Sequence, residues 1–217
     1  MKRRIVKLSA LFFLGFSLLS AEETDIEIPD REILEKISNN PGIIKALVSQ
    51  EKGDDKIRWI EMYTDVHIVS AIPMDKLRRA VLDFDTYPRI FRRNEKTVVI
   101  RENETLYLDM DVGAEFLGID FFVNYRVRVT ETRNTPEEFI LDFSYVSSDS
   151  SVQDVSGRWQ LKKLPQAEGV EQQFYVRYYA YSKVASKYPL QRMIMSLFIN
   201  SESRDLMNQF VKAAGML

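Results

Sequence analysis

The chain has no cysteine and only one histidine, His67. Without cysteine there can be no disulfide, even in an oxidising compartment, so stability must come from the core. One His and no Cys also remove the usual ligand sets for zinc and iron. Carboxylates could still hold calcium, but no EF-hand spacing occurs. No Gly-rich phosphate loop, no Ser-His-Asp order and no metal-pair motif is present. Neither a bound metal nor a cofactor is expected, and no internal repeat or low-complexity segment is found.

Positive charge is outnumbered by negative outside one short stretch. Lys2, Arg3, Arg4 and Lys7 precede an apolar run from Leu8 to Leu19, followed by the small residues Ser20 and Ala21. This is the pattern of a secretory signal peptide. A retained membrane anchor is the alternative, but the run is shorter than the ~20 residues a span needs. The absence of Cys near the cleavage site excludes a lipoprotein anchor. Removing residues 1–21 takes the balance from 30 basic and 32 acidic residues, net −2, to 26 against 32, net −6. An acidic chain with no basic cluster argues against nucleic acid as a partner and against electrostatic binding to anionic lipid. The protein is expected to be exported, to the periplasm or cell envelope.

With 217 residues and 45% apolar content, the chain is long enough for one domain with a substantial core. Residues 22–56 are expected to form an N-terminal helical arm and linker. A helical pattern opens at Asp30-Arg31-Glu32, and Ile43, Ile44, Leu47 and Val48 suggest a second short helix. Glu51 to Asp55 is a charged linker. The arm either packs on the outside of the domain or docks a cell-envelope protein.

From Ile57 the period becomes two. Ile60, Met62, Val66 and Ile68 alternate with Glu61, Tyr63, Asp65 and His67, a half-buried strand in which His67 is expected at the surface. Asp75 to Phe84 reads as a helix and Asp85 to Phe91 as a second short one. Six further strands follow, with turns at Gly113 to Gly118, Asn134-Thr135-Pro136, Ser147 to Ser151 and Pro165 to Gly169, an antiparallel meander. One face of these strands carries Asp109, Asp111, Arg126, Arg128, Asp142, Arg158 and Arg177. Opposite charges would meet across neighbouring strands, as a solvated face requires. The other face is aromatic: Phe121, Tyr125, Phe139, Phe143, Tyr145, Trp159, Phe174 and Tyr178. Several Tyr and Trp on one inner face suit either a plain core or a cavity wall with a few polar handles.

The chain closes on its longest helical pattern, Lys187 to Ala214, opened by Pro189. Leu190, Met193, Ile194, Leu197 and Phe198 share one face. Leu206, Met207, Phe210, Val211 and Ala214 share roughly the opposite one. Asn200 to Ser203 is expected to break or kink the helix, where it could also act as part of a gate.

Three motifs in this order resemble the START-like superfamily of polyketide cyclases, coenzyme Q-binding proteins and lipid-transfer proteins. The first runs from Val66-His67-Ile68-Val69-Ser70-Ala71-Ile72-Pro73 into Asp83-Phe84-Asp85-Thr86-Tyr87-Pro88-Arg89-Ile90-Phe91. The second is Gly157-Arg158-Trp159-Gln160-Leu161, similar to the family's G-x-W-x-L strand. The third is the Pro189-led terminal helix. Their physical roles are structural. Pro73 starts a helix off a strand, Asp83 or Asp85 can cap the next turn, and Tyr87 and Phe91 lie on one helical face. The resemblance implies an α+β helix-grip fold over residues 57–217, with about seven antiparallel strands wrapped around the terminal helix. It also implies a cavity for a hydrophobic molecule of the lipid, isoprenoid or quinone class.

The first reading is therefore a carrier or binding protein rather than an enzyme. The alternatives are a cyclase- or dehydratase-like enzyme on a hydrophobic substrate, or an envelope interaction module using the arm. No catalytic residue is assigned. Glu115, in a turn at the expected cavity mouth, is the best single acid candidate. The expected ligand-binding residues are Met110, Phe116, Tyr125, Phe143, Trp159, Tyr178, Ile194 and Leu197, inward by alternation or helix phase.

Overall fold

The computed structural model describes residues 28–38, 40–52, 58–116, 119–149, 152–166, 168–186 and 191–217, with the side chains at 44, 51–52, 114–116, 119–121 and 198 outside that description. The proposed signal peptide and Pro189 therefore lie outside the described residues. A short helix α1 (Arg31–Lys36) leads into strands β1 (Gly42–Lys52) and β2 (Arg58–Ser70). Helix α2 (Met74–Leu82), a 3-10 turn (Phe84–Thr86) and the one-turn helix α3 (Tyr87–Ile90) follow. Then come β3 (Asn94–Glu102), β4 (Thr105–Phe116), β5 (Ile119–Asn134), β6 (Glu138–Ser148), β7 (Val152–Lys163) and β8 (Phe174–Ala185). The chain ends in α4 (Gln191–Met216).

The eight strands form one antiparallel sheet in the order β1-β2-β8-β7-β6-β5-β4-β3. β8 returns to pair with β2, so the meander is closed back against its own first hairpin. The sheet wraps α4, which packs on α2, β1 and β2. This is the helix-grip architecture. Register shifts in β1, β3, β5 and β7 bend the strands, as bulges do, and help the sheet curve.

The inner face follows the alternation seen in the sequence. Val66, Ile68, Leu108, Val127, Phe139, Leu141, Trp159, Leu161 and Val176 form one buried cluster with Leu77 and Val81 of α2 and Met207, Phe210 and Ala214 of α4. Each fully buried Leu, Val or Phe contributes roughly 1.5–3 kcal/mol through lost contact with water. The outer face carries the expected ion pairs. Arg126 forks onto Asp109 at 2.6 and 2.9 Å, Arg158 onto Asp142 at 2.5 and 3.0 Å, and Arg177 onto Asp65 at 2.8 and 2.7 Å.

Several expectations are corrected. The segment with Ile43, Ile44, Leu47 and Val48 is strand β1, not a helix. Its bulge between Ile43 and Lys45 breaks the two-residue period and leaves an apolar spacing that mimics a helical one. Gly113 lies within β4 rather than in a turn, paired with Phe122. A Cβ there would come within 2.2 Å of the Phe122 ring, so the glycine lets that ring lie across the strand. α4 is continuous through Asn200 to Ser203. Ser203 caps nothing; its hydroxyl bonds back to the Ile199 carbonyl at 2.7 Å and meets Thr64 Oγ1 of β2 at 2.7 Å. Neither Asp83 nor Thr86 caps the following turns through its side chain; instead Thr86 Oγ1 donates to the Asp83 carbonyl at 2.8 Å.

His67 is the sharpest correction. It sits on the outer face as its alternation requires, yet it is only 4% exposed. The arm covers this region: Ile28, Leu34 and Ile37 pack on Val69, Leu164 and Tyr175, and the Val69 amide donates to the Ile37 carbonyl at 3.0 Å. Beneath it, His67 Nδ1 shares a hydrogen with the Tyr175 hydroxyl, and Nε2 lies 2.8 Å from Asp65 Oδ1 without being aligned for a hydrogen bond. Burial works to raise the Asp65 carboxyl, but the His67 and Arg177 contacts outweigh it and hold it at about 2.

Candidate functional site: a two-chambered cavity beneath the terminal helix

The sheet and α4 do not meet along their whole length. The second half of α4 is seated in the core through Met207, Phe210 and Ala214. Its first half stands off, leaving an outer chamber of about 570 Å³ lined by Met62 and Thr64 of β2, Phe91 after α3, and Ile194, Met195, Ile199 and Leu206 of α4. An inner chamber of about 200 Å³ continues towards β4–β7, between Met110, Tyr125, Phe143, Gly157, Trp159 and Tyr178. The two share Phe91, Arg93, Val112, Tyr178, Ala180, Ser182 and Leu206. The outer chamber alone falls in the usual range for small-molecule sites, whose walls are mostly apolar with a few polar groups.

The inner end is aromatic. Trp159 stacks within 4.5 Å of Tyr178 and 4.4 Å of Phe210, ring centroid to centroid. Tyr87 and Phe91, four residues apart, meet edge-on at 4.7 Å and close one side. Gly157 makes room here: a Cβ would approach the Tyr179 carbonyl oxygen at 3.0 Å and the Phe143 ring at 3.6 Å.

The polar handles are few. At the mouth Arg93 forks onto Glu202 of α4 at 2.6 and 3.1 Å, both side chains about one-third exposed. Thr64 and Ser203 make a second tie between sheet and helix. Deeper in, the Tyr87 hydroxyl donates to the Val81 carbonyl at 2.6 Å. Those of Tyr125 and Tyr178 have no hydrogen-bond partner among the described residues. Burial pushes both phenols up, Tyr178 to about 12, and each stays protonated at any ordinary pH. Among the described residues, no three His, Asp or Glu side chains converge to hold a metal.

Of the residues expected to bind ligand, Met110, Tyr125, Phe143, Trp159 and Tyr178 line the inner chamber, and Ile194 the outer one. Leu197 is placed elsewhere, 67% exposed on the solvent side of α4. The inward stripe of that helix runs through Met195, Ile199, Ser203 and Met207 rather than through Met193 and Leu197. Two of its inward positions, Glu202 and Ser203, are polar because they bond across the cavity, and that displaced the apolar phase. The side chains of Phe116 and Glu115 lie outside the described residues, though the backbone of both is in β4 rather than in a turn. Sequence reasoning missed Phe91, Arg93, Val112 and Glu202. The spacing of Phe91 from Tyr87 gives it a helical face but not a cavity, and the Arg93–Glu202 pair joins residues 109 apart and leaves no local trace.

Residues 70–211 match the family described as Polyketide cyclase / dehydrase and lipid transport, well over half of the chain. The protein belongs to this family. Its START-like fold is shared with human StAR-related lipid transfer protein 5, which is 9% identical with a TM-score of 0.55 over 80% of this chain and 88% of that one. The STAR-related lipid transfer protein from Xanthomonas axonopodis is 11% identical, with a TM-score of 0.51 over 76% of this chain and 98% of that one. At such identities the likeness is one of fold. No curated protein matches the sequence. Membership fits a hydrophobic ligand-binding role, and the cavity of this START-like protein lies between sheet and terminal helix.

Proposed function

We propose that this START-like protein is an exported carrier that holds a lipid, isoprenoid or quinone-class molecule in the cavity under α4. The observation that carries the reading is the pair of joined chambers, walled mostly by apolar and aromatic side chains, with Arg92 and Asp205 on the outer wall and the self-neutralised Arg93–Glu202 pair across the mouth. Arg93 and Glu202 satisfy each other, and the inner phenols stay protonated, so the site is suited to holding a ligand rather than to moving protons. The basic start, apolar run and small residues of positions 1–21, with a remaining net charge of −6, support export.

Two measurements test this. Purified without detergent, the protein should bind the apolar fluorophore N-phenyl-1-naphthylamine saturably at one site, and an envelope lipid extract should displace it. Unsaturable binding, or none, would overturn the carrier. Expressed with a C-terminal tag in a bacterial host, the periplasmic product should begin at Glu22. A full-length product confined to the cytoplasm would overturn export.

A further inference from the structure

The inner chamber carries a feature that an apolar pocket does not need. Two of its walls end in phenol hydroxyls, Tyr125 from β5 and Tyr178 from β8, and neither has a partner among the described residues. Their neighbour Tyr87 shows the contrast, since its hydroxyl is committed to the Val81 carbonyl at 2.6 Å. Both rings are half-buried and line the chamber, and neither hydroxyl is among the sealed atoms that lack a partner, so each opens onto the void. Phenylalanine would fill the same space at both positions without placing a donor there. The two hydroxyls are therefore donors held ready for something the chamber receives.

Resting on the carrier reading, we propose that Tyr125 and Tyr178 form the recognition end of the cavity, binding a neutral acceptor oxygen, such as a ketone or quinone carbonyl, at the buried end of a ring-bearing apolar ligand. Three observations set that chemistry. The cation that lines the inner chamber, Arg93, is forked onto Glu202, and Arg92 lies only on the outer chamber's wall, so a carboxylate or phosphate at the inner end would meet no free positive charge among the described lining residues. Burial keeps both phenols protonated, so each has an O–H to donate and neither supplies the negative charge an ammonium group would pair with. The surrounding faces of Trp159, Phe143 and Phe91 suit a flat ring better than a flexible chain. The ligand accordingly enters oxygen-first, with its apolar remainder in the outer chamber against Ile194, Met195 and Ile199. A lipid with a charged headgroup would be oriented the other way.

The test uses two probes of one shape, 2-methyl-1,4-naphthoquinone and 2-methylnaphthalene, followed by quenching or shift of tryptophan fluorescence. Wild-type protein should bind the quinone more tightly than the hydrocarbon. Tyr125→Phe and Tyr178→Phe should each weaken quinone binding roughly two- to tenfold, the worth of one hydrogen bond. The double variant should abolish the preference. Hydrocarbon affinity should be unchanged or improved in all three, which shows that the variants are folded. If the hydrocarbon binds wild-type protein but the quinone binds no better, or if the double variant keeps the preference, this inference is wrong and the carrier reading stands. If neither probe binds wild-type protein, the inference and the carrier reading fall together.

Discussion

Trp159→Ala probes a side chain that belongs both to the core and to the cavity. Trp159 is 1% exposed. Its ring packs on Phe210 at 4.4 Å and Tyr178 at 4.5 Å, and stacks on Phe91 at 6.3 Å. Truncating a well-packed Trp costs about 3–5 kcal/mol, because the lost transfer energy is joined by the energy of the hole left behind. Here one side of the ring already faces an inner chamber of about 200 Å³, so part of the hole exists beforehand. The Phe210 side has no such space, and α4 is fixed in the core there. The cost should therefore fall near the lower end, roughly 3 kcal/mol, out of a total that for a single domain is about 5–15 kcal/mol. Urea unfolding followed by far-UV circular dichroism reads it directly. The expected result is a lower midpoint with an unchanged slope, together with an enlarged cavity that accepts bulkier hydrophobes. A loss below about 1 kcal/mol would refute the reasoning, since it would mean that Trp159 is not clamped between Phe210 and Tyr178.

Three further outcomes are expected. Asp65 is held at about 2 against roughly 3.9 in an unfolded chain, so its charged form stabilises the native state by roughly 2–3 kcal/mol. That contribution is complete above about pH 4 and is lost as pH falls towards 2; the stability gap between wild type and Asp65→Asn should shrink over that window, and a gap independent of pH would contradict the assignment. Asn103 and Glu104 turn the β3–β4 hairpin with φ of +46° and +68°, and Glu104 is strained there. Glu104→Gly should raise stability by about 1 kcal/mol in the same urea assay, and a loss would show that the turn differs. Arg93→Met removes a partly exposed pair worth at most about 1 kcal/mol of stability. It should nevertheless speed release of a bound fluorophore, measured by stopped flow, because it unties α4 from the mouth; an unchanged release rate would assign that role elsewhere.

How much of this was legible in the sequence depended on whether a signal was local. Alternation placed Tyr125, Phe143, Trp159 and Tyr178 on the inner face, and the charges of Asp109, Arg126, Asp142 and Arg158 on the outer one, because side chains in a strand change face at every residue. The same rule reports only the face and not what covers it. His67 was correctly outward, and its burial comes from an arm some 30 residues away in the chain, where Ile37 and Leu34 close over Tyr175. β1 was misread because its bulge interrupts the alternation at Ile43 and Lys45. The phase of α4 was misread for a functional reason. Its inward turn at Glu202 and Ser203 is polar because it reaches Arg93 and Thr64 across a cavity rather than packing into a core. A helix that is apolar at the core end and polar where it bridges a void will mislead any reading that equates inward with apolar.

The central claim is that the space under α4 holds a hydrophobic molecule. Native mass spectrometry of the protein from Glu22 onward, purified without detergent, tests it most directly. The account predicts a complex heavier than the bare chain by one small molecule, either as isolated or after incubation with an envelope lipid extract, with the extra mass lost on organic extraction. A bare mass that stays unchanged after that incubation would contradict it.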